Sequence, residues 1–137
     1  MTTPRGIRNN NPLNIRHNRD MFQGEVRPAT DRSFKQFKSM AYGYRAAFVI
    51  LGSYLGRGLN TVEKIIGQWA PPTENNTASY VNTVEKRSGV GRTNVLTANS
   101  GSDYRKIVAA MCHCENGVAA DMAALEMGFR MQNKIRG

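Results

Sequence analysis

The chain has 137 residues, of which 40% are hydrophobic, and carries 19 Lys and Arg against 10 Asp and Glu for a formal charge of +9. That length predicts one domain with a core of its own, and the composition, with a mean hydropathy of −0.49, excludes a disordered or low-complexity chain. The charge favours a polyanionic partner, which could be nucleic acid, an anionic lipid face or the acidic polymer of a bacterial wall.

Residues 1–38 show little helical periodicity. The short stretches "LNIR", "MFQGEV" and "SFKQF" are separated by Asn, Gly, Pro and Asp, which predicts a loop-rich start with two or three short strands turning at Gly24 and at "RPATD". From Ser39 the pattern becomes helical. Ser39 reads as a cap, apolar residues recur at 40, 44, 47, 48, 51, 54 and 55, and Gly56 and Gly58 stop the run. A second helix opens at Asn60 or Thr61 and ends before Pro71 and Pro72. A third, in "ENNTASYVNTVEKRSG", places Val81 and Val84 on one face, with Gly89 just past its end. "TNVLTANSGS" reads as a loop, and "SDYRKIVAAMCHCENG" and "VAADMAALEMGFRMQNKIRG" as two further helices, the last Met-rich and suited to core packing. The expected fold is α+β and mostly α-helical. One domain over 1–137 would comprise a loop and hairpin region (1–38) followed by about five helices (39–137).

The N-terminal "MTTPRGIRNNNP" has no apolar h-region, and "AAFVILGSYLG" is too short to span a bilayer. The expectation is a protein made in a host cytoplasm without an export signal of its own and with no membrane insertion. Arginine dominates the basic residues of 1–45, which read equally as a solvated face or as contacts for carboxylate or phosphate. Cys112 and Cys114 flank His113, but two residues on one helix that are two positions apart point to nearly opposite sides. Reduced, partly buried thiols are expected, with no metal and no cofactor. Nucleotide-binding glycine loops, HExxH, GxSxG and zinc-finger spacings are absent.

Two constellations remain. In "RNNNPLNIR", Asn10, Asn11, Asn14 and Arg16 offer amides and a guanidinium to sugar hydroxyls or N-acetyl groups, or else build turns. In "WAPPTENNTASYV", Trp69 supplies a flat apolar face, Glu74 a carboxylate, Asn75 and Asn76 amides, and Thr77 and Tyr80 hydroxyls. Alternatively, Trp69 belongs to the core and Glu74 complements a helix N-terminus.

"RGIRNNNPLNIR", the "FQGE" turn and "FKQF…YGYRAAFVIL" resemble the opening run of lysozyme-like phage muralytic proteins, a group that includes virion-associated lysins. "GLNTVEKIIGQWAPPTENNTASYVNTV" is similar to their second signature. The likeness covers roughly residues 5–91, and more distantly the Asn-rich stretch resembles glucosaminidases and lytic transglycosylases. It implies a lysozyme-like fold, peptidoglycan glycan strands as substrate, other virion proteins as companions, and action on the periplasmic wall or carriage in a virion. In the transglycosylases a late E-T…Y-V element helps line the glycan cleft, which Glu74, Thr77, Tyr80 and Val81 echo. The chain departs from the distant relatives in one respect. Their general-acid glutamate ends a helix just before the Asn-rich stretch, whereas here no acidic residue precedes Asp20.

Glycosidic cleavage needs a partly desolvated carboxylic acid, and an ordinary hydrolase needs a second carboxylate about 5–10 Å away. The candidates are Glu74 as acid/base, with Glu25 or Asp31 assisting. Asn10, Asn11, Asn14, Arg16, Trp69, Asn75, Thr77 and Tyr80 are the candidate substrate contacts. Glu63 and Glu85 read as surface charges, and Glu115, Asp121 and Glu126 lie outside the resemblance. Two other functions fit the same sequence: a non-catalytic virion structural or wall-binding module, and a basic nucleic-acid-binding protein. No helix presents the continuous Lys/Arg face that the latter would use.

Overall fold

A computed structural model describes residues 2–73 and 75–137. Its N-terminal quarter is irregular because its polar residues bond to one another locally. A single helical turn, α1 (Arg5–Arg8), is followed by Asn10 and Asn14, both at φ 53°. Asparagine tolerates this left-handed region better than other side chains, so the chain can reverse twice within a few residues. Two-residue strands β1 (Glu25–Val26) and β2 (Gln36–Phe37) pair antiparallel, with Glu25 opposite Phe37. "LNIR" contributes a single antiparallel bridge, Arg16 to Phe34, rather than a full strand.

Five longer helices follow: α2 (Met40–Gly56), α3 (Val62–Trp69), α4 (Thr77–Ser88), α5 (Gly101–Asn116) and α6 (Met122–Arg130). The caps explain most of the boundaries. Ser39, Thr61, Asn76 and Asp121 each accept a hydrogen bond from a first-turn amide, and Gly89 and Gly117 close α4 and α5 in left-handed conformations. The last helix stops at Arg130, short of the sequence expectation. There Gln132 takes over the backbone, accepting from the amides of Lys134 and Ile135 and donating to the carbonyls of Phe129 and Ile135.

The main core joins α2, α3, α4, α5 and α6 through buried residues such as Phe48, Leu51, Ile65, Ile66, Ile107, Met111 and Leu125. Helices α2 and α6 lie in close contact because residue 128 is glycine. A Cβ there would sit 2.6 Å from the Ala41 carbonyl and 2.7 Å from the Arg45 amide. Phe48 and Phe129 meet edge to face across this contact, with centroids 5.1 Å apart. The methionines of α6 serve the core less than expected: Met122 and Met127 are exposed, and Leu125 and Phe129 fill the inward positions. A smaller cluster of Ile15, Phe37 and Ala46 seats the hairpin on α2. No helix among the described residues is long and apolar enough to cross a membrane.

Inside the hairpin, Lys35 is fully buried. Its ammonium lies 3.1 Å from both carboxylate oxygens of Glu25 and donates to the Asp20 carbonyl at 2.8 Å. Arg27 and the Phe22 amide bind the same carboxylate. Burial opposes ionisation of Glu25, but the bonds from Arg27, Phe22 and Lys35 outweigh it and hold its pKa below the usual range. Removing one partner of a buried pair strands the other in low dielectric. Glu25→Ala is therefore expected to cost about 3 kcal/mol in urea unfolding; a loss within about 0.5 kcal/mol, the usual size for a surface change, would contradict this account.

Candidate functional site

An open cleft of about 730 Å³ runs between the N-terminal loop and hairpin on one side and α2, the end of α3 and the end of α5 on the other. Asn14, Arg16 and Asp20 come from the loop, Tyr54 and Arg57 from the end of α2, Trp69 and Asn75 from the end of α3 and the loop beyond it, and Glu115 from α5. Glu115 lies in the last turn of its helix, before Asn116 and Gly117, and is partly buried. Asn14 donates to Glu115 Oε1 at 3.1 Å, and the Tyr80 hydroxyl donates to Oε2 at 2.9 Å. Burial, followed by the neighbouring Glu115 carboxylate, raises the Tyr80 pKa strongly, so the phenol stays protonated and remains a donor.

One junction positions this carboxylate. Asn116 donates to the Pro12 carbonyl at 2.8 Å, which ties the end of α5 to the Asn-rich loop. Gly6 of α1 lies against the same spot: a Cβ on it would stand 2.5 Å from Asn116 Oδ1, 2.7 Å from the Asn11 carbonyl and 2.9 Å from Asn14 Oδ1. Asn14 Oδ1 and Asn116 Oδ1 are both buried without a hydrogen-bond partner among the described residues. A side chain at residue 6 would collide with these oxygens, so the junction closes only around a glycine.

The expected site residues separate into two groups. Asn14, Arg16, Trp69 and Asn75 line the cleft, and Tyr80 reaches it through Glu115. Asn10 donates to the Phe37 carbonyl, and Thr77 to the Ala70 carbonyl. Asn11, with no exposed surface, is bonded to the Ile15 amide and to the Ile15 and Lys35 carbonyls. Those three side chains hold the backbone and have little left to offer a ligand. Glu74 lies outside the described residues.

Glu25 and Asp31, expected as assisting carboxylates, lie away from the cleft. Both are engaged in ion pairs. Asp31 accepts two bonds from Arg5, at 2.7 and 2.8 Å, one from Asn9, and others from the amides of Ser33 and Phe34. The Arg5 guanidinium, ahead of the smaller contributions, holds this carboxyl far below the usual carboxylate range. Such a group cannot deliver a proton near neutral pH. The carboxylates that do line the cleft, among the described residues, are Glu115 and Asp20. For Glu115 the sequence held one signal, a glutamate ending a predicted helix before Asn-Gly. It stands 101 residues from Asn14, so only the fold brings the two together.

Two outcomes follow. Gly6→Ala is expected to lower stability by about 2 kcal/mol through overpacking, measured by denaturant unfolding; a neutral effect would mean that the junction yields without cost. Asp31, with its folded pKa depressed, stabilises the fold fully above its unfolded value near 4 and gives up that stability as the pH falls further. Stability should therefore decline between about pH 4 and pH 2, and less steeply in Asp31→Asn. Equal slopes in the two proteins would remove Asp31 from the acid transition.

No family model matches the chain. Over 117 residues it is 39% identical to Protein P5 of Pseudoalteromonas phage PM2, an alignment that covers 82% of this chain and 71% of the phage protein. Identity of that extent, across a fold whose Asn-rich loop and last long helices must come together to close one cleft, places this chain in the family of the phage protein P5.

Proposed function

We propose that the chain is a lysozyme-like, peptidoglycan-degrading protein of phage origin, with Glu115 as its acid/base. The observation that carries this reading is the position of Glu115: a half-buried carboxylate at a helix end, in a cleft, hydrogen-bonded to the Asn-rich loop. In the distantly similar glucosaminidases and lytic transglycosylases an acid ends a helix leading into that loop, and residues 1–8 hold none. Helix α5 supplies one from the other end of the chain.

The chemistry follows from the geometry. A carboxyl group with restricted access to water can protonate a glycosidic oxygen as the bond breaks. Asn14 and Tyr80 fix both oxygens of Glu115, which favours one productive orientation. Trp69 gives the cleft an apolar face for a sugar ring, and Asn75 stands at its edge. Asp20 is the candidate second carboxylate. With it the enzyme would hydrolyse the bond; without it, a sugar hydroxyl would have to displace the leaving group.

Glu115→Gln keeps the shape and one accepting oxygen, turns the other position into a donor that the Tyr80 hydroxyl can accept, and cannot give up a proton. Turbidity loss of outer-membrane-stripped cells should slow by about 10²–10⁴-fold, with the unfolding midpoint unchanged. Mass spectrometry of the digested wall then assigns the reaction: reducing ends point to hydrolysis, anhydro ends to transglycosylation, and split cross-links to a peptidase. Full activity in Glu115→Gln, lost instead in Glu74→Gln, would transfer the acid's role to Glu74. Wild-type protein that pellets with sacculi and releases nothing would make it a wall-binding module.

A further inference from the structure

The cleft carries positive charge that acid–base chemistry at a glycosidic bond does not require. Arg16, Arg57 and Lys134 line it. Arg5, Arg27, Arg92, Arg105 and Arg130 each pair with a carboxylate, whereas none of the three cleft cations does so among the described residues. Both cleft arginines lie against aromatic rings that also line the cleft. The Arg16 guanidinium is 5.5 Å from the Phe34 centroid and that of Arg57 is 5.2 Å from the Tyr54 centroid.

A ring face attracts a guanidinium and orients its plane, but it occupies none of the five N–H donors. Arg5 makes the contrast clear. It lies 4.5 Å from the same Phe34 ring, yet it donates to Asp31. Arg16 and Arg57 are thus oriented by aromatic contact, and no acceptor among the described residues takes their donors. A planar fork held this way fits a carboxylate through two parallel bonds.

We infer that Arg16 and Arg57 recognise carboxylates on the substituents of the glycan strand. The cleft therefore takes an acidic, peptide-bearing polymer in preference to a neutral one of the same sugars. This rests on the proposed action at a glycosidic bond. Lys134 adds a flexible point charge with no fixed geometry. Both arginines are exposed, so the preference is moderate and weakens with salt.

The test compares cleavage of three forms of one peptidoglycan: native, carboxyl-amidated with carbodiimide and ammonia, and stripped of stem peptides by an amidase so that only lactyl carboxylates remain. Wild type should cleave the native form about tenfold faster than the amidated form, and the ratio should fall to within about twofold in Arg16→Gln/Arg57→Gln. Stripped glycan cleaved at the amidated rate supports recognition of the peptide carboxylates; cleaved at the native rate, it shows that the freed lactyl carboxylate serves the two arginines as well. A ratio unchanged in the double variant, with its unfolding midpoint retained, overturns the inference. So does an equal fall in Arg32→Gln/Lys86→Gln, which removes two charges outside the cleft. Activity retained by Glu115→Gln, or absent from wild type on all three substrates, overturns the underlying catalytic reading instead.

Discussion

The structure depends on the way a buried, irregular segment satisfies its backbone. Residues 9–15 have no ladder partner along most of their length, yet Asn9, Asn11, Pro12, Leu13 and Ile15 are buried. Buried amides and carbonyls must be paired, and here asparagine side chains do much of that pairing. Asn11 bridges the loop to the hairpin strand, Asn10 holds Phe37, and Asn116 reaches across from α5 to Pro12. An apolar residue at 11 would take from the Ile15 amide and the Lys35 carbonyl the partner that Asn11 gives them, and would remove one of the ties between the loop and the hairpin.

Because that network is fixed, so is the cleft. Asn10 and Asn14 turn the chain through left-handed conformations, and the second turn brings the Asn14 amide onto Glu115. The hairpin's own carboxylates play a different part. Glu25 neutralises a lysine with no access to water, and Asp31 holds Arg5, Asn9 and two backbone amides. Since each is ion-paired with a guanidinium or an ammonium, they act as fixed anions that organise the loop. The carboxylate at the end of α5 lies instead in a cleft open to a ligand.

The helices were legible in the sequence because their signals are local. Ser39, Thr61, Gly89 and the Pro71–Pro72 pair mark ends within one turn of where they act. The first helical turn at Arg5–Arg8 was not legible, since four residues show no period and its support comes from α5. The end of α6 was also missed, because the residues after Arg130 look helical until Gln132 binds their backbone. The Asn-rich motif borders the cleft, but composition could not show which asparagines face the cleft and which face the backbone. Asn11 and Asn14 are chemically identical and only three positions apart, yet one is sealed and the other lines the cleft.

By itself the sequence determined the class of fold, the helix boundaries set by caps and glycines, and the loop around which the site is built. Each of these is fixed by interactions between residues close in the chain. The tertiary structure alone decided which carboxylates are ion-paired and which remain in the cleft. It brought Glu115 to Asn14, left Arg16 and Arg57 without acidic partners among the described residues, and placed Asp31 under Arg5. Charge state and accessibility depend on what surrounds a group in space, and neighbours 26 or 101 positions away leave no local trace in the sequence.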